Sequence, residues 1–196
     1  MDKNKKMLIG LAIAAVVIFI WVKSGYNSMV NVQEEATTAL SNVQSEYKRR
    51  ADLIPNLVNV VKGYASHEKE TLEGVINARA KATQITLDPE NLTPEKMQEF
   101  QQAQGELSQA LGRLMVIQEQ YPELKADQQF LDLQKQLEGT ENRINEKRIT
   151  FNKVVEKYNK TVRSFPKNLL AGMFGFDRMS KFEATAAEQA TPEVQF

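Results

Sequence analysis

The sequence predicts an all-α protein: an N-terminal transmembrane helix followed by an elongated antiparallel bundle of three main long helices. Residues 130–165 carry an apolar stripe with a seven-residue period, which is typical of a long helix that buries one face against other helices. Residues 7–22 form an uncharged apolar run, and the composition is rich in helix-favouring residues. The stripe consists of Phe130, Leu137, Ile144, Phe151, Tyr158 and Phe165.

The composition argues against several kinds of function. Basic and acidic residues number 25 each, so the chain lacks the basic excess that nucleic acid requires. It contains no cysteine, which removes disulfides, thiolate metal sites, cysteine nucleophiles and a lipoprotein anchor. His67 is the only histidine, whereas a di-iron bundle needs two Glu-x-x-His motifs and a hydrolase needs a nucleophile setting such as G-x-S-x-G. We therefore expect no catalytic residue, no metal, no cofactor and no enzyme.

The apolar run predicts a membrane anchor. As a helix it spans roughly 24 Å, somewhat less than a hydrocarbon core of about 30 Å. Lys6 and Lys23 can extend to the headgroups, and Trp21 suits the interface. A cleaved signal peptide is the alternative, but the run ends in large side chains without a small-residue cleavage pattern. We expect an uncleaved transmembrane helix over residues 7–23.

The lysines around this helix predict its orientation. Lys3, Lys5 and Lys6 precede the apolar run, and Lys23 is the only basic residue after it before Lys48. The positive-inside rule then places the short N-terminus, residues 1–6, in the cytoplasm. The predicted location is the bacterial inner (cell) membrane, crossed once, with the bundle on the periplasmic or extracytoplasmic side.

Residues 24–165 form the predicted bundle. Apolar positions continue at steps of three or four to about residue 85, which predicts one long helix or two nearly collinear ones, kinked near Pro55. After a loop, Thr93 caps the second helix with Pro94 at its first position, and a third helix continues to about residue 163. Three helices with short connections alternate in direction, so the first and third are expected to be parallel.

Charged residues interrupt the predicted core at two places. Gly139, within LEGTENRI, permits a close backbone approach, and Arg50 occupies an expected core position beside Pro55. The main interpretation is a polar layer that fixes helix register; the alternative is a notch that binds a ligand or a partner. The residues of this layer or possible partner site are Arg49, Arg50, Asp52, Glu138, Glu141 and Arg143.

The C-terminal segment, residues 166–183, is too apolar for a free linker. It either folds back on its own bundle or docks on a neighbouring subunit or a membrane surface. Because the third helix is expected to end far from the bilayer, a neighbouring subunit is the expected partner rather than that membrane. The predicted docking residues are Leu169, Leu170, Met173, Phe174, Phe176 and Phe182, and residues 184–196 are predicted to be disordered.

Several motifs follow one another in order. They are RRADLIPNLVNVVKGYASHE at residues 49–68, LEGTENRI at 137–144, FNKVVEKYN at 151–159, and GMFGF at 172–176. Together with Tyr26-Asn27, Phe165-Pro166 and Phe182-Glu183, this succession resembles the LemA family of bacterial membrane-anchored proteins over residues 7–183. The resemblance implies a transmembrane helix followed by a soluble long-helix bundle, and it supplies no catalytic residues. Phe151 departs from the family pattern, which usually has tyrosine there.

These observations predict a non-enzymatic single-pass envelope protein whose long-helix domain self-associates into a membrane-attached scaffold. Such a scaffold would organise or remodel the membrane. The alternative is an adaptor that binds another membrane protein, such as a protease or a phosphatase. An enzyme of unknown type is a lesser alternative, and it requires the polar layer to open into a pocket. The expected partners are the membrane, further copies of the chain and, for the adaptor, another membrane protein.

Overall fold

The computed structural model describes residues 3–183, and within them all regular structure is helical. This confirms the all-α class and the long apolar N-terminal helix. The described residues divide into two units, one containing residues 3–38 and 153–179 and the other residues 39–152 and 180–183. The elements are α1 (Lys3–Tyr64), α2 (Lys69–Gln84), a 3-10 turn (Pro89–Asn91), α3 (Pro94–Ile117), α4 (Pro122–Lys125), α5 (Gln128–Arg163) and α6 (Lys167–Phe174).

The chain turns back on itself between α1 and α2. Arg79 Nε of α2 donates to the carbonyl of Ala51 in α1 at 2.7 Å. In one continuous helix these residues would lie roughly 40 Å apart. Farther along, Gln44 Nε2 donates to the carbonyl of Leu87 at 2.7 Å. The prediction of one long helix or two nearly collinear ones to residue 85 is therefore wrong, since α2 runs antiparallel to α1.

This additional turn reverses the direction of α5. In the second unit, Tyr64 near the end of α1 donates to Asp127 just before α5, and Arg143 within α5 donates to Glu46 of α1. Sequence numbers thus rise along α5 as they fall along α1. The prediction that the first helix and residues 128–163 run parallel is wrong, because the chain has reversed direction once more than expected.

The first unit has the same antiparallel pairing. Lys157 Nζ of α5 lies 2.7 Å from Glu35 Oε2 of α1. Beyond α5, Lys167 Nζ donates to Ser28 Oγ at 2.9 Å. Moving forward from residue 157 to residue 167 therefore moves back along α1, toward the apolar run.

Pro55 lies inside α1 without ending it. Proline has no N–H, so the carbonyl of Ala51, four residues earlier, loses its helical donor. Arg79 supplies a donor to that carbonyl from α2. Pro55 thereby frees an acceptor on α1 that helps to hold α2 in place.

The predicted capping pattern at the start of α3 is confirmed. Thr93 Oγ1 accepts from the backbone N–H of Lys96 at 3.3 Å, and Pro94 is the first helical residue. Asp127 has the same role before α5, where its Oδ1 accepts from the N–H of Phe130 at 2.8 Å. That hydrogen bond is the main cause that lowers the pKa of Asp127 below its ordinary value.

The cores of both units use the predicted stripe of α5. In the second unit its first four members are buried, and in the first unit Tyr158 is buried. Phe165 departs from the prediction, because α5 ends at Arg163 and the Phe165 side chain is 81% exposed. One core cluster of the first unit contains Met29, Val32, Tyr158, Val162, Leu170 and Ala171.

Candidate functional site

A buried guanidinium occupies the interior of the second unit. Only 2% of Arg50 is exposed. Its Nη1 donates to Glu141 Oε2 at 2.7 Å and to Ser108 Oγ at 3.0 Å, while its Nη2 donates to Gln104 Oε1 at 2.7 Å. The guanidinium also lies over the Tyr47 ring, 5.2 Å from its centroid. These contacts therefore connect α1, α3 and α5 at one level.

Arg143 forms a second polar contact set along α5. Its Nε donates to Glu46 Oε2 at 2.9 Å, and its Nη2 donates to Thr140 Oγ1, a fully buried hydroxyl, at 2.8 Å. A Cβ at Gly139 would lie 3.4 Å from Arg143 Nη1. The group that comes close to Gly139 is therefore the Arg143 side chain, rather than the backbone that the sequence predicted.

The structure brings only part of the predicted polar layer together. Arg50 and Glu141 are in contact, and Arg143 lies two residues beyond Glu141 on α5. Arg49, Asp52 and Glu138 are exposed at the surface. The acceptors that complete the layer were not predicted from the sequence; they are Gln104, Ser108, Glu46 and Thr140. Gln104 left a signal, because it interrupts the apolar face of α3.

A cleft of about 590 Å³ opens beside this layer. Gln104 connects the two, since its Oε1 accepts from Arg50 and its Nε2 donates to the carbonyl of Ala82 at 3.1 Å. The lining of the cleft includes the large side chains of Tyr47, Phe100 and Ile85 together with polar groups. The other lining residues are Ser41, Gln44, Ser45, Lys48, Ala51, Asp52, Arg79, Ala82, Thr83 and Thr86.

The chemistry of this cleft suits binding. It offers hydroxyls, amides, two basic side chains and one carboxylate around an aromatic surface. Among the side chains that the structure describes there is no group of three or more His, Cys, Asp or Glu that could hold a metal ion. His67, the residue weighed for metal or triad chemistry, is exposed in the turn between α1 and α2.

Two asparagines of α5 hold the extended chain that follows α6. In the second unit, Asn152 Nδ2 donates to the carbonyl of Phe182 at 2.8 Å, and the N–H of Phe182 donates to Asn152 Oδ1 at 2.9 Å. In the first unit, Asn159 makes the same pair of bonds with the backbone of Met179, at 2.8 and 3.0 Å. Each amide thus satisfies one residue's backbone as a neighbouring β-strand would.

The clamping role of these asparagines was not predicted from the sequence. The available signal was the repeat of an aromatic–Asn pair seven residues apart, at residues 151–152 and 158–159. The aromatic members are buried as predicted. The ring of Phe182 packs on Phe151, with their centroids 5.3 Å apart.

The predicted docking residues divide into a buried and an exposed group. Leu170 and Phe182 are buried against their own chain, and Phe176 packs edge-on against Tyr26 with ring centroids 5.6 Å apart. Leu169, Met173 and Phe174 are 56%, 76% and 46% exposed. Residues 184–196, predicted to be disordered, lie outside the described residues.

The apolar run is the N-terminal part of α1, the helix that contributes buried residues to the cores of both units. Among the described residues, α1 is the one helix long and apolar enough to cross a membrane. The large apolar side chains of residues 7–20 are each about half exposed or more, so they pack on no other part of the described chain.

Comparison with known proteins identifies the family. The model of the LemA family matches residues 39–196, which is more than half of the chain. The chain belongs to the LemA family.

Individual relatives agree with this assignment. Magnetosome protein MamQ of Magnetospirillum gryphiswaldense is 26% identical over 210 residues, which cover 96% of this chain and 77% of that protein. Protein LemA of Metamycoplasma hominis is 26% identical over 173 residues, which cover 88% of this chain and 75% of that protein. Magnetosome protein MamQ 2 of Paramagnetospirillum magneticum is 26% identical over 198 residues, which cover 92% of this chain and 73% of that protein. Together with the apolar segment of α1, membership of the LemA family supports a membrane-associated protein.

Proposed function

We propose that this LemA-family chain is a non-enzymatic, single-pass protein of the bacterial inner membrane whose helical domain self-associates into a membrane-attached scaffold. Its N-terminus lies in the cytoplasm and its domain on the extracytoplasmic side. The scaffold organises or remodels the membrane that anchors it. Arg50 and its partners act in this proposal as the polar layer that keeps the helices in register.

The observation that carries the proposal is the continuity of α1. The helix runs without a break from Lys3 to Tyr64, so no flexible linker separates the apolar run from the packed helices. Its first buried residue is Gly25, three positions after Val22. Copies anchored in one membrane would therefore share an orientation and present the same faces to one another. Confinement to a surface also raises their effective concentration, which strengthens weak side-by-side contacts.

The test is the mass and shape of the full-length protein in detergent, measured by light scattering and negative-stain microscopy. The proposal predicts large ordered particles for the anchored chain and smaller species for a chain that begins at Ser24. Full-length protein that remains monomeric at high concentration would contradict the scaffold.

The cleft favours a second candidate function, an adaptor that binds another membrane protein. Its mixture of aromatic surface, hydroxyls and charges suits an extended segment of a partner better than a second helix of the same chain. An adaptor predicts that a pull-down of this chain recovers another membrane protein in a fixed ratio to it. Phe100 supports the core as well as the cleft, so the variant of choice is Thr83→Arg, at an exposed position of the lining.

The two candidates make different predictions for Thr83→Arg. An adaptor would lose its partner while its self-association stays unchanged. Thr71→Arg, on the same helix and outside the cleft lining, serves as the matched control. Equal partner recovery with both variants would exclude the cleft as the partner site.

A further inference from the structure

The short helix α6 packs beside the membrane end of the domain. A Cβ at Gly25 would lie 2.7 Å from Leu170 Cδ1, so the two helices meet closely there. The rings of Tyr26 and Phe174 pack edge-on with centroids 5.0 Å apart. Val22, the last residue of the apolar run, also packs against the cluster that contains Leu170. The premise that the C-terminal segment begins far from the anchoring bilayer is therefore wrong.

The contacts define how far α6 lies along the axis of α1 beyond the end of the apolar run. They involve Gly25, Tyr26 and Ser28, which follow Val22 by three to six residues. At 1.5 Å per residue this corresponds to about 5–9 Å along α1. If residues 7–22 cross the hydrocarbon core, α6 lies at the depth of the headgroups and the upper acyl chains.

The side of α6 that faces away from α1 is apolar. Leu169 and Met173 are four residues apart and therefore lie on one helical face, which is largely exposed. Leu170 and Ala171 point the other way and are buried. Phe165, just before α6, adds an exposed aromatic ring. Large apolar side chains exposed together on one helix face are typical of a surface that contacts a protein or a membrane, and an interfacial helix buries such side chains below the headgroups.

The charges around this face suit lipid headgroups. Residues 160–178 contain four basic residues, Lys160, Arg163, Lys167 and Arg178, and one acidic residue, Asp177. Lys23 adds a further positive charge at the end of the apolar run. A basic rim around an apolar patch attracts anionic lipids and holds the patch at the membrane surface.

We propose that α6 is a second membrane contact, in which Phe165, Leu169 and Met173 insert into the headgroup region of the same bilayer that α1 crosses. The ligand is a lipid surface, with anionic headgroups meeting the basic rim. This inference rests on the membrane-anchored part of the proposed function and not on self-association. It replaces the neighbouring subunit as the partner of the exposed docking residues.

The experiment measures depth in the bilayer on the full-length chain. Because the protein has no cysteine, single cysteines can be introduced at Ile13, Glu34 or Met173 and labelled with an environment-sensitive fluorophore. Each protein is reconstituted into vesicles of phosphatidylcholine with a minority of phosphatidylglycerol. Quenching is then compared between lipids with a nitroxide near the headgroup and lipids with a nitroxide near the chain end.

The control positions bracket the expected depth. Ile13 is exposed near the middle of the apolar run, and its label should be quenched by the nitroxide near the chain end. Glu34 is exposed on α1, twelve residues beyond Val22, or roughly 18 Å along the helix, and its label should be quenched by neither lipid. The label at Met173 should be quenched severalfold more by the headgroup nitroxide than the label at Glu34.

Each other outcome contradicts the proposal in a distinct way. If the Met173 label behaves like the Glu34 label while the Ile13 label is quenched, α6 does not contact lipid and the anchor stands. If the Met173 label remains unquenched and unlabelled copies of the Met173→Cys chain form a disulfide with one another on oxidation, a second subunit covers this face. If the Ile13 label is also unquenched, the anchor fails, and both this inference and the proposed function are wrong.

A substitution in the apolar face provides an independent test. With the label at Met173, the double variant Phe165→Glu with Leu169→Glu should reduce headgroup quenching severalfold, because carboxylates do not enter the apolar interface. Both side chains are exposed, so the fold tolerates the change. Asn168→Glu, which adds charge to an exposed polar position of the same helix, should preserve most of the quenching. Equal quenching in the double variant and the unsubstituted chain would overturn the proposal.

Discussion

Arg50 places a positive charge inside the second unit, and its value to the fold depends on its partners. Glu141 reaches solvent with 56% of its side chain, so it can be hydrated if Arg50 is removed. Gln104 is buried and has no such alternative. The Arg50 Nε is itself buried and has no partner among the described residues, which offsets part of the gain from the other contacts.

Replacing Arg50 by Met tests this layer. We expect a loss of about 1–3 kcal/mol in the free energy of unfolding, because Gln104 Oε1 remains buried without its donor. Chemical denaturation monitored by circular dichroism measures the change. Arg49→Met, at the exposed neighbouring position, should leave the stability unchanged. If stability and assembly are both unaffected in Arg50→Met, the polar layer has no role.

At the scale of elements, Pro55 and Arg79 act together at the contact between α1 and α2. The proline leaves the Ala51 carbonyl without its helical donor, and Arg79 of α2 donates a hydrogen bond to that carbonyl. Arg79→Met should therefore destabilise the fold by about 1 kcal/mol or more, because it leaves that acceptor unpaired. In a Pro55→Ala background the penalty should shrink, since the new N–H at residue 55 can donate to the same carbonyl.

A double-mutant cycle between residues 55 and 79 measures this coupling, and we expect roughly 1 kcal/mol. The matched cycle uses Lys81→Met, on the same helix as Arg79. This change removes an exposed ion pair with Glu106 of α3 and should show no coupling to Pro55. Additive effects in the first cycle would mean that the Arg79 contact does not depend on the proline.

The asparagine clamps give a second prediction at this scale. Asn152→Ala should release the backbone at Phe182 and expose the bond after Lys181 to trypsin. Asn159→Ala should likewise speed cleavage after Arg178. The initial cleavage rates, followed by mass spectrometry, are the readout. Asn145→Ala, at an exposed position seven residues before Asn152 on α5, should cleave as the unsubstituted chain does.

These elements also explain which parts of the fold the sequence could predict. The start of α3 was predictable because Thr93-Pro94 carries a local capping signal. The reversal at residues 65–68 was not, because Ala-Ser-His-Glu contains neither glycine nor proline, while Pro55 within α1 is accommodated by Arg79. The Asn152 clamp was hidden for another reason: its partner is a backbone thirty residues away, which leaves no side-chain pattern to recognise.

At the scale of the whole molecule, one missed reversal changes the relation between the C-terminal segment and the membrane. With three alternating helices, the segment after residue 165 would start at the far end of α1. With α2 folded back, α5 returns toward the apolar run and α6 packs on Gly25 and Tyr26. The reversal at residues 65–68 therefore underlies the proposal that Leu169 and Met173 face the bilayer rather than another protein.

This relation predicts how the domain responds when α1 is lengthened. Because α6 packs chiefly on residues that follow Val22, seven alanines inserted after Lys23 should move it outward by about 10 Å while leaving its contacts with Gly25, Tyr26 and Ser28 intact. The label at Met173 should then lose most of its quenching by headgroup nitroxides. The same insertion after Lys3 precedes the apolar run and should change nothing. Persistent quenching after the first insertion would mean that α1 slides in the bilayer or that α6 reaches lipid by another route.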